Sequence, residues 1–347
     1  MTRRARRALP ALGVFLATLG LLASPAGAHS TSGPPASNFH AVVRGVTPAV
    51  RGVHAALGAD GERIELRVDG DARVTVLGYQ GEPYLRVSRA GVFENRESPA
   101  VALNRNRVPT GAASRGPIGP PRWVRMSSGS TARWHDHRAH WMGGATPAAV
   151  RRAPDRSHRI EQWRIPLRVD GTSAVLAGRT ERASIAGSVQ WDPPPDALLW
   201  GALAALLALA VLAGTAVAAK PVFLVALAVL AVSETLHLWG SWPYSTADAV
   251  GRVGENLPSI AAIAATLLAF GWLVRRSVYS AAPLLIIAGL FTAVAGGFAD
   301  LPVLSHAWVP SRLDPTLARA LVTIALGLGT GVAIAGALRL RAPRPAT

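Results

Sequence analysis

The stretch "RIELRVDGDARVTVLGY", residues 63–79, decides the structural class of the N-terminal half of the chain. Apolar and polar residues alternate in each half of the stretch, and this period of two is typical of a β-strand with one buried face. The pair Asp69-Gly70 separates the halves and suits a tight hairpin turn. The stretch therefore predicts two antiparallel strands joined by a turn.

Further alternating stretches follow along the chain: "PYLRVSRAG" at 83–91, "EQWRIPLRVDGTSAVLAG" at 161–178 and "RASIAGSVQW" at 182–191. The second of these carries another Asp-Gly turn signal. Residues 104–121 are rich in Gly, Pro and Arg and predict a long surface loop, and no convincing amphipathic helix is found. We therefore expect residues 29–192 to form an all-β domain, an antiparallel sandwich-like fold.

The N-terminus has the pattern of a secretory signal peptide. Four arginines within the first seven residues precede an apolar run at 8–23, and Ala26-Gly27-Ala28 forms a small-residue cleavage site. A membrane anchor is the competing interpretation, but the apolar run is short for a span. We expect residues 1–28 to be cleaved, which makes residues 29–192 an extracytoplasmic domain.

The C-terminal half, residues 193–347, is predicted to be an all-α bundle of five transmembrane helices with a short cytoplasmic tail. Each helix needs about 20 apolar residues to cross the hydrocarbon. Five stretches qualify: 197–219, 221–239, 257–274, 281–298 and 317–338. The first two are separated by almost nothing, so their junction is the weakest part of the prediction.

Charge gives the orientation of this bundle. With an outside start, five crossings place Lys220, the pair Arg275-Arg276 and the tail arginines Arg339, Arg341 and Arg344 inside. This distribution follows the positive-inside rule. We therefore expect a multi-pass protein of the cell membrane, embedded in the lipid bilayer, with an extracytoplasmic N-terminal domain and a cytoplasmic C-terminus.

Composition excludes several functions. The chain has no cysteine, so it forms no disulfide, thiolate metal site or cysteine nucleophile. Its net charge of +16 would suit nucleic acid, but an exported chain meets little nucleic acid, and we expect no such partner. Neither a serine nucleophile motif nor a Walker loop, dinucleotide loop or HExxH motif is present, which argues against an enzyme.

The stretch "TARWHDHRAHWMGG", residues 131–144, is the strongest candidate site. If residues 132–141 form a strand, His135 and His137 point to the same face and can chelate one ion. His140 follows closely as a third ligand. Asp136 faces the other way, where it either holds the second nitrogen of an imidazole or forms an ion pair with Arg133 or Arg138.

An all-imidazole ligand set suits copper, zinc or nickel, and the affinity order favours copper, with zinc as the alternative. The competing interpretation is a cluster of Trp and His that packs without a metal. His29 is an optional fourth ligand, because cleavage after Ala28 would expose both its amine and its imidazole.

The junction "AHS", residues 28–30, resembles the mature start of CopC-like periplasmic copper carriers and of copper-dependent polysaccharide monooxygenases. That resemblance implies copper at His29. Over most of its length the chain resembles an uncharacterised group of actinobacterial membrane proteins. The similarity lies in the signal peptide, the C-terminal spans and three motifs, "GYQGEPYLRV" at 78–87, "GVFEN" at 91–95 and "WHDHRAHWM" at 134–142. This second resemblance implies the architecture only.

The membrane half offers a second set of candidate ligands. Glu234 and His237 are three residues apart on one helix face, toward the outer end of the second predicted span. Asp300 and His306 fall at the outer end of the fourth span and just after it. Together these four side chains are predicted to lie near one cavity, where they could accept a metal from the β-domain. Alternatively, each is interfacial and hydrogen-bonded.

Three functions from different classes fit these patterns. The first is copper handling or transfer at the outer face of the membrane, with an extracytoplasmic protein as metal donor or acceptor. The second is a non-catalytic envelope protein whose β-domain binds a protein or a cell-wall partner. The third is a copper-dependent oxidase or monooxygenase. Metal handling ranks first, because the histidine stretch supports it directly.

Overall fold

A computed structural model describes residues 35–58, 60–105, 119–170, 181–245 and 247–341. The chain divides into two compact units, Ser37–Pro193 and a membrane unit from Pro194 onward. Both the proposed signal peptide and His29 lie outside the described residues.

The first unit is built from two antiparallel sheets. Its larger sheet has seven strands in the order β1-β10-β9-β4-β5-β6-β7, and its smaller sheet has three, β2-β3-β8. Their bounds are β1 Phe39–Thr47, β2 Val53–Leu57, β3 Ile64–Val68, β4 Arg73–Leu77, β5 Pro83–Ser88, β6 Gly91–Asn95, β7 Trp123–Ser127, β8 Thr131–Trp134, β9 His158–Asp170 and β10 Glu181–Trp191. The predicted antiparallel β architecture is confirmed.

One hydrophobic core joins the two sheets. Ile64 and Leu66 of the small sheet are fully buried in the same cluster as Val74 and Val76 of the large sheet. On β3 the alternate residues, Glu65 and Arg67, point away from this core, as the period of two requires. The alternation in the sequence therefore identified the buried faces.

The prediction of a hairpin over residues 63–79 is wrong, because the two strands do not pair with each other. β3 pairs with β2 and β8, whereas β4 pairs with β5 and β9, so the connection at Asp69-Gly70 passes from one sheet to the other. Asp69 N–H donates to the carbonyl of Gly52 across the β2–β3 pair at 2.7 Å, and Gly70 takes a positive φ of 73°. The turn residues are suited to a change of direction, but they do not fix which strand becomes the neighbour.

The second Asp-Gly signal lies between strands that do pair. β9 and β10 are antiparallel, with Val169 opposite Glu181, so their connection is longer than a two-residue turn. Its residues 171–180, like most of the predicted loop at 104–121, lie outside the described residues. Two short helices appear where no helix was expected, α1 Pro99–Arg105 and α2 Ala148–Arg152.

The membrane unit contains four helical segments long and apolar enough to cross a bilayer, spanning residues 197–244, 257–275, 278–305 and 315–341. The predicted count of five is not confirmed, because the first two predicted spans fall within a single helical segment. The helices are α3 Ala197–Ser241, α4 Ala249–Glu255, α5 Leu257–Arg275, α6 Val278–Thr292, α7 Leu301–Ser305 and α8 Pro315–Arg341. A π-helical turn, Ala293–Gly297, follows α6.

Glycines on α8 let neighbouring helices approach closely. A Cβ at Gly327 would lie 2.5 Å from the carbonyl oxygen of Ala204 on α3. On α6, a Cβ at Gly289 would lie 2.5 Å from the carbonyl oxygen of Gly329 on α8. Small residues at such contacts are how helices associate in lipid, where no hydrophobic effect drives them together.

Candidate functional site

The imidazole rings of His135, His137 and His140 lie together in the β-domain, and we call these three residues the histidine cluster. The ring centroids of His135 and His137 are 5.1 Å apart, with the planes at 76°. The rings of His135 and His140 stack at 4.4 Å with only 10° between their planes. His137 is buried, with 8% of its surface exposed.

The local backbone differs from the expected strand. β8 ends at Trp134, and His137–Ala139 form a 3-10 turn, so the prediction of one strand over residues 132–141 is wrong. Asp136 ends the strand because its side chain caps the turn by accepting the backbone N–H of Arg138 at 3.1 Å. This turn, rather than strand alternation, brings His140 back onto His135.

The side chain of Asp136 is fully buried, and its carboxylate oxygens accept hydrogen bonds from groups other than the histidines. Its carboxylate accepts hydrogen bonds from Arg138 Nε and Nη2, both at 2.8 Å, and from Trp134 Nε1 at 2.9 Å. Burial by itself raises the pKa of this carboxyl, but the hydrogen bonds and charge of Arg138 outweigh that effect and hold the pKa below its usual value. Asp136 is therefore an ionised partner of Arg138, while Arg133 pairs with Glu65 at 2.6 Å.

The hydroxyl group of Tyr79 stabilises the 3-10 turn at His137–Ala139. Its hydroxyl accepts the backbone N–H of His137 at 3.0 Å and donates to Oδ1 of Asn104. The guanidinium of Arg138 lies 4.6 Å from the centre of the Tyr79 ring. Burial, followed by the negative charge of Asp136, raises the pKa of the phenol well above its usual value, so Tyr79 remains a neutral donor. Tyr79 and Asn104 were not identified as site residues from the sequence.

Tyr79 itself is positioned by a tight turn in the motif "GYQGEPYLRV". The N–H of Gly78 donates to the carbonyl of Glu82 at 2.8 Å, and Oε1 of Glu82 accepts the hydroxyl of Ser98 at 2.6 Å. Glycine at position 78 leaves room for the Glu82 carboxyl group, because an added Cβ would lie 1.8 Å from Oε1 of Glu82 and would displace it. This motif is one of the three that carry the family resemblance, and its presence is the sequence signal that could have identified Tyr79.

The present arrangement of the cluster is not a finished metal site. Imidazole lone pairs lie in the ring plane, so the two parallel rings of His135 and His140 cannot share one ion unless one of them turns. Across the described ranges, no group of three or more His, Asp or Glu side chains is arranged to hold a metal. The rings of His135 and His137 are nearly perpendicular instead, at 76°. Nε2 of His140 lies 3.0 Å from the carbonyl oxygen of Glu62.

In the membrane unit, three of the four predicted side chains come together. His237 Nε2 lies 3.0 Å from Oδ2 of Asp300, and Glu234 is buried within electrostatic range of both. His306 instead places its Nδ1 2.8 Å from the carbonyl oxygen of Pro302. Glu234, His237 and Asp300 therefore lie close together, and a cavity shared by all four residues stays a prediction.

Comparison with known proteins gives no further guide: no family model, no curated protein and no solved structure matches this chain.

Proposed function

We propose that this chain is a membrane-anchored protein whose extracytoplasmic β-domain binds a transition-metal ion, copper(II) or, as the alternative, zinc(II), at the histidine cluster. The observation that carries the proposal is the packing of three imidazoles, with ring centroids 4.4 and 5.1 Å apart, on one short turn. Imidazole is a good ligand for both ions, and the general order of affinities favours copper.

The surroundings of the cluster suit a ligand set. A metal-binding imidazole usually donates its other ring N–H to a carbonyl or carboxylate, which fixes the tautomer. The contact between His140 Nε2 and the carbonyl oxygen of Glu62 can serve in this way, which leaves Nδ1 as the coordinating nitrogen of His140. The ion pair of Asp136 with Arg138 and the bond from His137 N–H to Tyr79 hold the backbone of the turn.

Binding in this proposal requires one side-chain movement. His135 and His137 provide the first two ligands, because their rings are close together and nearly perpendicular rather than stacked. His140 becomes the third when the stacked pair separates, and the amine and imidazole of His29 complete the site if cleavage follows Ala28. The role is metal handling, in which an extracytoplasmic protein delivers or receives the ion.

The proposal is tested by electron paramagnetic resonance of copper(II) added to the purified full-length chain and then dialysed. A retained, near-stoichiometric signal with couplings from several imidazole nitrogens is the expected result. Copper that dialyses away, or a spectrum without nitrogen couplings, would leave the histidine cluster as a packing feature of the β-domain. Competition by zinc(II) then ranks the two ions.

We further propose that the membrane unit crosses the bilayer five times, with α3 folded into a helical hairpin. A single straight helix of 45 residues would be about 68 Å long, more than twice the thickness of the hydrocarbon. Ala218 has non-helical angles, φ −140° and ψ 71°, and lies near the middle of α3. A reversal at this residue would divide α3 into two segments of suitable length.

Contacts with α8 support the reversal. In the first half of α3, Ala204 lies beside Gly327, and the carbonyl of Thr215, further along, accepts from Arg339, further along α8. These two segments therefore run in the same direction. In the second half, Ser233 donates to the carbonyl of Leu321, near the start of α8. The second half thus runs back toward the end at which α3 began.

The hairpin gathers the basic residues at one end of the membrane unit. The ammonium of Lys220 lies 3.2 Å from the carbonyl oxygen of Val274, next to Arg275 and Arg276. Arg339 is at the same end, through its bond to Thr215. By the positive-inside rule this end faces the cytoplasm, so the β-domain lies outside the cell membrane.

A further inference from the structure

Glu234 is an unusual residue in the membrane unit. It lies in the second half of α3 and is buried, with 1% of its surface exposed. Among the residues that the structure describes, neither of its carboxylate oxygens has a hydrogen-bond partner. An ionised carboxylate left without donors in a membrane interior is strongly disfavoured, so the neutral acid is the form that this position accommodates.

The backbone of the π-helical turn makes room for the Glu234 carboxyl group. An added Cβ at Gly296 would lie 1.9 Å from Oε1 of Glu234, so the carboxyl occupies space that only glycine leaves open. Turns of this kind within helices are rare and occur frequently at functional sites. The position of Glu234 is therefore built by two elements, α3 and the turn after α6.

Two more titratable groups complete this feature, which we call the acid–histidine cluster: Glu234, His237 and Asp300. His237 is one helical turn after Glu234, on the same face of α3. Its Nε2 lies 3.0 Å from Oδ2 of Asp300, and both side chains are 8% exposed. The three groups thus interact in low-dielectric surroundings, where any net charge is costly.

Zero net charge is reached either with all three groups neutral or with one carboxylate balancing a protonated His237. Because Asp300 contacts His237 whereas Glu234 has no hydrogen-bond donor among the described residues, Glu234 carries its proton in either case. Loss of the Glu234 proton leaves a net charge of −1, and a proton returning from water restores neutrality. We propose that the acid–histidine cluster is a proton-binding site, with Glu234 as the group that gains and loses the exchangeable proton.

The neighbouring elements bring few other charges. Arg319 of α8 donates to the carbonyls of His306 and Ala307, and Glu255 of α4 accepts from Ser245. The titratable residues of α5 and α6, Arg275 and Tyr279, lie at the Lys220 end of their helices, and α7 has none. The proton balance is therefore set chiefly by the three members of the cluster.

Apolar side chains lie between this site and the Lys220 end of the membrane unit. Between Lys220 and Glu234, α3 contributes Phe223, Leu227 and Leu230, all fully buried, and Leu273 and Leu285 of the neighbouring helices belong to the same apolar layer. Across the described residues, this layer lies between Glu234 and the Lys220 end. We therefore expect the site to exchange protons through the end that holds Asp300, without conducting them across the membrane.

Infrared difference spectroscopy of the full-length chain in lipid nanodiscs, between acidic and alkaline buffer, tests the assignment. We expect a C=O stretching band of a carboxylic acid in dry surroundings, shifted in D₂O and absent in Glu234→Gln. Glu255→Gln, the same substitution outside the cluster, should retain the band. No such band, or a band that persists in Glu234→Gln, overturns the proposal.

A second variant protects the test against a folding defect in Glu234→Gln. Gly296→Ala keeps the carboxyl but fills its space, so the band should move in frequency while the chain stays folded by circular dichroism. An unmoved band in the folded Gly296→Ala protein would mean that another carboxyl is observed, and would overturn the assignment to Glu234.

Two further measurements separate a proton from its competitors. Adding Na⁺ or Zn²⁺ at constant pH should leave the band unchanged, and its loss would identify a cation site instead. In proteoliposomes with an internal pH dye, the wild-type chain should carry no proton flux under a pH gradient. A flux abolished by Glu234→Gln would overturn the one-ended access.

Discussion

The imidazole of His140 stacks on that of His135, with 4.4 Å between ring centroids and 10° between planes. The two histidines are five positions apart in the sequence, and the capped turn at His137–Ala139 brings their rings together. Parallel rings are a good packing arrangement for neutral imidazoles but a poor one for chelation. Binding of a metal at the histidine cluster is therefore expected to be coupled to separation of this pair.

Replacing His135 and His137 together with Ala should remove copper(II) binding, since two of three or four ligands are lost. The affinity should fall by more than about 100-fold, because even changes to residues that only orient a ligand cost 10- to 100-fold. Isothermal titration of the full-length chain measures the loss. His158→Ala is the matched control, because His158 bonds the carbonyl of Ala153 away from the cluster. An unchanged titration of the double variant would assign the stretch to packing alone.

Asp136→Asn should destabilise the β-domain by about 2–4 kcal/mol, since it leaves the half-buried guanidinium of Arg138 without its counterion. Chemical denaturation followed by tryptophan fluorescence measures the change. Asp71→Asn breaks an ion pair with Arg89 in which both side chains are 78% exposed, and it should have little effect. Equal effects of the two substitutions would contradict the role assigned to Asp136.

The stability of the β-domain should fall in acid because of the same residue. The pKa of Asp136 is lower in the folded chain than in the unfolded chain, so its ion pair stabilises the fold above the unfolded value of about 4. That contribution is lost as the pH falls through the lower, folded value. A denaturation series across this acid range should slope less steeply for Asp136→Asn than for the wild type, and parallel slopes would argue against the assignment.

Tyr79→Phe should cost about 1–3 kcal/mol, because the buried backbone N–H of His137 and the side chain of Asn104 each lose a partner. The turn that carries the histidine cluster should become more mobile, and the affinity for copper(II) should decrease as a result. Thermal unfolding and copper titration of the same preparation measure both effects. A variant as stable as the wild type would show that the hydroxyl does not support the turn.

Single introduced cysteines test the membrane topology, and the natural absence of cysteine makes the background clean. Ser128→Cys, at an exposed position after β7, should react with a membrane-impermeant maleimide on intact cells. Lys220→Cys should react only after permeabilisation, because the proposed hairpin places it inside. Labelling of Lys220→Cys from outside would contradict the five-crossing topology.

Gly327→Ala should lower the melting temperature of the detergent-solubilised chain, since the new Cβ would lie 2.5 Å from the carbonyl oxygen of Ala204. Forcing two helices apart in this way costs about 1–3 kcal/mol. Gly271→Ala, on α5 with nothing within 4 Å of the added atom, is the control and should be neutral or slightly stabilising. Similar melting temperatures for both variants would show that the α3–α8 contact tolerates expansion.

Local patterns were enough to predict the elements. The period of two predicts which side chains lie on the buried sides of the strands. Each of these is fully buried in the structure: Ile64, Leu66, Val74 and Val76. The apolar stretches of the second half likewise form helices long enough to cross a bilayer. These features depend on the side chains of neighbouring residues, so a single segment contains the information.

The partners of each element were decided by the tertiary structure. Alternation shows which face of β3 is buried, but both sheets of a sandwich bury the same kind of face, so it could not place β3 and β4 in different sheets. The same distinction, between local sequence pattern and long-range contact, applies to the two candidate sites. Spacing drew attention to His135, His137 and Glu234, and the order of the predicted spans placed Asp300 near His237, 63 positions away. Tyr79, 58 positions from His137, was not identified from the sequence. Such long-range contacts form only when the whole chain packs, because the energy of burial selects among strand and helix partners that local sequence leaves equivalent.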